Sequence, residues 1–151
     1  MRVRAAAILI EHDQVALIER HRSGRHYFTF PGGGVEEGES PVQAVVREME
    51  EETGLRVVVQ RKLGEAWFHG NRQEYFLVST VGGVFGTGLG EEYQPAPAEK
   101  MRSFGSYRPL WMPLAELPDH HVLPVEVAAL VFRSSEEGWP AEPFEIQETV
   151  P

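Results

Sequence analysis

The stretch from Ser40 to Gly54, SPVQAVVREMEEETG, constrains this chain more than any other. Ser40 suits a helix N-cap, and Pro41 suits the first helical position, where a missing N–H loses nothing. Gln43 sits where a capping-box partner reaches back to the cap. Gly54 is the residue type that adopts the left-handed conformation closing a helix. Between these signals Val42, Val45, Val46 and Met49 recur at helical spacing and form one apolar stripe. A helix built this way must lay its stripe against another layer.

The same helix ends in a run of carboxylates. At ~100° per residue, Glu48, Glu51 and Glu52 fall within an arc of roughly 100° beside the stripe, whereas Glu50 points elsewhere. Such neighbours repel, and at a helix C-terminus they oppose the macrodipole, each effect costing tenths of a kcal/mol to about 1 kcal/mol. Arg47, one turn from Glu51, offsets part of this. A local rule broken without structural gain points to function. Clustered hard oxygen donors suit Mg²⁺ or Mn²⁺, which fill their other positions with water and phosphate. Gly32-Gly33-Gly34, upstream of the helix, lacks the Cβ atoms that would keep backbone N–H groups away from phosphate oxygens.

Around this centre the chain is mostly strand. Arg2 to Ile10 and Gln14 to Arg20 form an expected hairpin around Glu11-His12-Asp13, and the apolar second half of the first strand implies cover on both faces. Tyr27 to Phe30 is a short strand stopped by Pro31, and Val35 to Glu39 is an acidic loop. Leu55 to Leu63 and Glu74 to Val81 follow as strands. Gly82 to Gln94 has the composition of a loop or an interrupted strand, and Pro95 to Ser106 that of a long connection. Tyr107 to Pro113 is a further strand and Pro124 to Ser134 a second amphipathic helix. This order is not a regular βα alternation, so the expected class is α+β, a mixed sheet packed between helices. One domain over residues 1–137 and a proline- and acid-rich tail over 138–151, without a clear fold signal, fit the length of 151 residues.

Composition removes several classes of function. With no cysteine, disulfides, thiolate metal sites and a cysteine nucleophile are excluded. A net charge of −9 argues against broad contact with a nucleic-acid backbone, so no polymeric nucleic acid is expected as partner. It does not oppose a small phosphorylated ligand, because a divalent cation reverses the local sign. No apolar run reaches membrane-span length, and the N-terminus turns polar too early for a secretory signal, so a cytoplasmic protein is expected.

The joint spacing is more specific than its parts. Gly33, five residues, Glu39, seven residues, Arg47-Glu48, apolar Met49, one residue, Glu51-Glu52, one residue, Gly54 and apolar Leu55 resembles the complete signature of the Nudix hydrolases. The resemblance implies an α/β/α sandwich and Mg²⁺-dependent, or Mn²⁺-dependent, cleavage of the diphosphate linkage in a nucleoside diphosphate joined to another moiety. It implies metal ligation by Glu48, Glu51 and Glu52, and catalytic roles for Glu51, Glu52 and Arg47, the last by fixing a glutamate rotamer. Gly33, Gly34 and Glu39 would serve substrate binding, and Glu91 and Glu92 are candidates for an accessory base on a later loop. Arg20, Arg22, Arg25 and His26 are candidates for contacting phosphate or the second moiety. Trp67, Phe68 and Tyr75 offer either base stacking or core packing. The alternative function is a nucleotide-sensing domain of this family without turnover, which a lost glutamate would have favoured. A homodimer is common among such proteins and is carried as an expectation.

Overall fold

Successive residues of the first strand are buried in two different core clusters, and that division sets the architecture. The computed structural model describes residues 2–68, 70–88 and 106–147. Its elements are β1 (Val3–Ile8), β2 (Ile10–Glu11), β3 (Gln14–Arg22), β4 (Arg25–Thr29), β5 (Gly32–Gly34), α1 (Pro41–Thr53), β6 (Leu55–Phe68), β7 (Asn71–Gly83), β8 (Ser106–Pro113), a 3-10 turn (Leu114–Asp119), β9 (Val122–Leu123), α2 (Val125–Glu137) and β10 (Phe144–Gln147). Ala5 and Ala7 of β1 pack with Ala44, Val45 and Met49 of α1, while Ala6 and Ile8 join Val127, Ala128 and Val131 of α2. Successive side chains of a strand point to opposite faces, so an all-apolar β1 is a strand covered on both sides. The α+β sandwich expected from the sequence is the fold observed.

The strands divide between two five-stranded sheets. One runs β10-β6-β7-β1-β5; the other runs β2-β3-β4-β9, with β8 pairing β3. Both are mixed: β1 with β7, β10 with β6 and β4 with β9 are parallel, and the remaining pairs are antiparallel. The expected first hairpin is shorter than the sequence suggests, because the chain leaves the first sheet at Leu9 and only Ile10 and Glu11 pair back onto Val15 and Gln14. Its turn residues, His12 and Asp13, both have positive φ, the geometry that matches strand twist in a two-residue hairpin. β8 carries Pro109 and Pro113 and, among the described residues, pairs only with β3, an edge position where proline is tolerated.

Helix α1 closes as its sequence demands. Ser40 accepts from the Gln43 N–H, Gln43 reaches back to the Ser40 N–H, and Gly54 takes φ 86°. The buried face is rotated from the expected stripe, however: Ala44, Val45, Met49, Glu52 and Thr53 are buried, and Val42 is 44% exposed. β6 and β7 are longer than expected, and three register shifts between them interrupt the period-2 pattern that would have revealed their length. Gly82 and Gly83 close β7. Within the stretch that carried no fold signal, Phe144–Gln147 pair with Gly64–Trp67, and Phe144 fills the space a Cβ on Gly64 would occupy. No helix among the described residues is long and apolar enough to cross a membrane.

Candidate active site

One guanidinium organises the acidic flank of α1. Arg47 donates from Nε to Glu39 Oε2 at 2.8 Å and from Nη2 to Glu39 Oε1 at 3.1 Å, a two-pronged grip on the loop before the helix. Its Nη1 donates to Glu48 at 2.9 Å and Glu51 at 3.1 Å, and its Nη2 also reaches the Gly34 carbonyl at 3.1 Å. The bonds to Glu39 chiefly raise the affinity of Arg47 for its proton, so it is a permanent cation. The same bonds, with one from the Glu36 N–H at 3.0 Å, hold the Glu39 carboxyl below its ordinary range. Arg47 thus fixes the rotamers of three carboxylates. Glu50 is exposed on the other side of the helix.

The glycine triplet is a strand, although its composition is that of a loop. Gly32, Gly33 and Gly34 pair antiparallel with Ala6, Ala5 and Arg4, and the ladder continues through Ala7 N–H to the Pro31 carbonyl and Val35 N–H to the Val3 carbonyl. Glycine disfavours strands, which hides this element in the sequence, but each position needs the missing Cβ. At Gly32 a Cβ would collide with the Ala5 carbonyl, at Gly33 with the Glu48 carboxylate and at Gly34 with the Arg2 guanidinium. The Gly32 N–H donates to Glu52 Oε2 at 3.1 Å, so this backbone proton holds the one glutamate of the helix that is only 8% exposed.

Glu48 and Glu52 line a cleft of about 440 Å³ together with the glycine strand. Arg2 and Arg4 of the β1 segment and Arg20 and Arg22 of β3 line it as well, with Asn71, Gln73, Phe68, Tyr75 and Tyr107. Four arginines against two glutamates make a cleft receptive to anions in a chain of net charge −9. Arg20 is braced by register: on β3 it lies between Tyr27 of β4 and Tyr107 of β8, its guanidinium carbon 3.7 Å from the Tyr107 ring centre and 5.9 Å from that of Tyr27. Tyr75 is fully buried, edge-on to Phe30, with its hydroxyl donating to Gln73; burial pushes that phenol's pKa up, which keeps it neutral.

The residues singled out in the sequence separate accordingly. Glu48, Glu52, Gly33, Gly34, Arg20 and Arg22 meet in the cleft; Glu51, 43% exposed, is turned to Arg47, and Glu39 is tied beneath it. Trp67, Arg25 and His26 do not line the cleft, and Glu91 and Glu92 lie outside the described residues. Arg2, Arg4 and Tyr107 were missed. Arg2 and Arg4 alternate on a strand that is otherwise apolar, and that spacing is the signal that could have found them.

The donor set suits a hard divalent cation. Glu48 and Glu52 offer carboxylate oxygens on one wall of a polar cleft, the ligand chemistry of Mg²⁺ or Mn²⁺.

A family model for the NUDIX domain matches residues 1–131. The chain belongs to the Nudix family. This Nudix chain is 45% identical over 49 residues to an RNA pyrophosphohydrolase of Pseudoalteromonas translucida, a match covering 32% of this chain and 28% of that protein. The chain spans less than half the length of the curated relatives it matches. A Nudix hydrolase from Nitrosomonas europaea shares the fold at TM-score 0.72 and 19% identity, covering 97% of this chain and 79% of that one. A MutT structure from work on Aliivibrio salmonicida and Vibrio cholerae is similar at TM-score 0.64 and 25% identity, covering 88% and 98%.

Proposed function

We propose that this Nudix domain hydrolyses the diphosphate linkage of a nucleoside diphosphate joined to a second moiety, with Mg²⁺ or Mn²⁺ held by Glu48 and Glu52. The supporting observation is the cleft that these two carboxylates line together with arginines carried by two different sheets. When bound, the cation supplies neutralisation of phosphate charge and Lewis-acid polarisation. Arg2 and Arg4 on one side, and Arg20 and Arg22 on the other, hold phosphate oxygens. Arg20 loses little freedom on binding because Tyr107 and Tyr27 already brace it. Arg47 keeps Glu48 and Glu51 oriented from behind, and the Gly32 N–H keeps Glu52 in place. Glu51, Glu52, Glu91 and Glu92 are the candidates for receiving the proton of the attacking water. The reaction is placed in the cytoplasm, by a monomer or homodimer that light scattering distinguishes.

A second substrate class has its own support. Several relatives are named RNA pyrophosphohydrolase, and the arginines of the cleft suit a terminal run of phosphates on a longer chain. The net charge of −9 bears on contact along a nucleic-acid backbone, so it does not oppose capture of a 5′ end. The earlier expectation of no polymeric partner is narrowed to that extent.

The test is a panel of nucleoside diphosphate derivatives and a 5′-triphosphorylated RNA oligonucleotide, assayed with Mg²⁺ or Mn²⁺ for wild type and Glu52→Gln. Turnover lost in the variant supports the reading. Full activity in Glu52→Gln overturns the site, and equal inactivity of both proteins with retained nucleotide binding favours the sensing alternative.

A further inference from the structure

We propose that Glu19, His21 and His26 form a second metal site, suited to Zn²⁺ or a similar borderline ion, on the face of the β3–β4 hairpin turned away from the cleft. Strand alternation separates the two faces. Ile18, Arg20 and Arg22 of β3 and Thr29 of β4 line the cleft, so Glu19, His21, His26 and Phe28 occupy the opposite side. Register then brings the donors together: His21 lies directly across from His26, Glu19 across from Phe28 and Arg108 across from Glu19.

One ligand atom from each of the three residues lies within 4.8 Å of the others. His26 Nε2 is 2.8 Å, and His21 Nε2 3.9 Å, from the same oxygen, Glu19 Oε2. Arg108 holds the other oxygen, with Nε at 2.9 Å and Nη2 at 2.6 Å from Oε1. The arginine thus aims the carboxylate and need not leave when a cation arrives, the part an outer partner plays for a metal ligand. Burial alone would raise the Glu19 pKa, but the hydrogen bonds from His26 and Arg108 outweigh it and keep the group an anion.

The imidazoles are stacked 4.2 Å apart and 2° from parallel, so their lone pairs run side by side and do not yet converge. Binding requires the rings to tilt toward one another, which two half-exposed side chains on a hairpin end can do. Two imidazoles and one carboxylate, with room for water, favour Zn²⁺ over Mg²⁺, the opposite preference to the all-carboxylate pair in the cleft. An ion here would clasp β3 to β4 beside the Ser23-Gly24 turn, and so stiffen the strand that presents Arg20 and Arg22. The site stands independently of the proposed hydrolysis.

The experiment uses untagged full-length protein in saturating Mg²⁺, titrated with Zn²⁺ by calorimetry and with Co²⁺ by visible absorption. Wild type is expected to bind one more ion than His21→Ala or His26→Ala, and the imidazole-dependent Co²⁺ bands should vanish in both. Melting in EDTA checks that the variants fold. Equal stoichiometry and spectra for wild type and both variants, or no Zn²⁺ uptake by wild type, overturns the proposal.

Discussion

Arg47 is bound to more of the acidic flank than any other side chain in the site, and its replacement separates charge from geometry. Lysine keeps the charge but cannot grip Glu39 with two prongs while also reaching Glu48, Glu51 and the Gly34 carbonyl. Arg47→Lys should therefore weaken Mg²⁺ binding about 10- to 100-fold, as loss of an outer partner to a ligand does, read from the Mg²⁺ dependence of turnover. Gly33 and Glu48 form another coupled pair, since a Cβ on one occupies the space of the other's carboxylate. Gly33→Ala should abolish most activity, and adding Glu48→Asp should recover part of it. Simple additivity of the two losses would count against the steric link. The residues of the signature were legible because their identities and offsets are fixed together. The alternation of Arg2 and Arg4 was there to read, but their meeting with Arg20, Arg22 and Tyr107 in one cleft was not, because the pairing of strands far apart in sequence decides it.

At the scale of the element, α1 is a helix whose two ends can be tested apart. Ser40→Ala removes the cap and should cost about 1 kcal/mol. Gly54→Ala should cost more, about 1–2 kcal/mol for the left-handed conformation alone, since its Cβ would also meet Val84 and Thr87 of the segment after β7. Chemical denaturation reads both. The loop that enters α1 carries a pH dependence. The Glu39 pKa is depressed from 4.5 by Arg47, so the stabilisation it contributes is present above that value and is lost as pH falls through the depressed one. Melting temperatures from about pH 6 to about pH 3 should fall less steeply for Arg47→Met than for wild type. Helix α1 was legible because capping, proline and stripe all agree locally. The strand nature of Gly32–Gly34 was not, because it depends on β1 being alongside and on what each missing Cβ makes room for.

For the whole molecule, the fold class followed from the order of elements and the doubly covered β1, whereas the split into two sheets did not. It turns on the crossing at Leu9, where the apolar run continues without any local break. If the carboxylates of α1 take up a cation in the folded state only, Mg²⁺ at a hundredfold excess over its Kd should add about 2.7 kcal/mol of stability. For a chain of this size that is roughly 5–10 °C in Tm, and a flat melting curve against Mg²⁺ would remove the metal assignment. The crossing has a further consequence. Because Arg2 and Arg4 belong with one sheet and Arg20 and Arg22 with the other, the two sheets act as the jaws of a caliper. Ile8 of the first sheet and Leu17 of the second both lie in the core the two sheets share. Trimming that core with Ile8→Val, at about 0.5–1.5 kcal/mol of stability, should alter the spacing of the two arginine pairs without touching a charge, read for the proposed hydrolysis as a KM that shifts between substrates of different phosphate length.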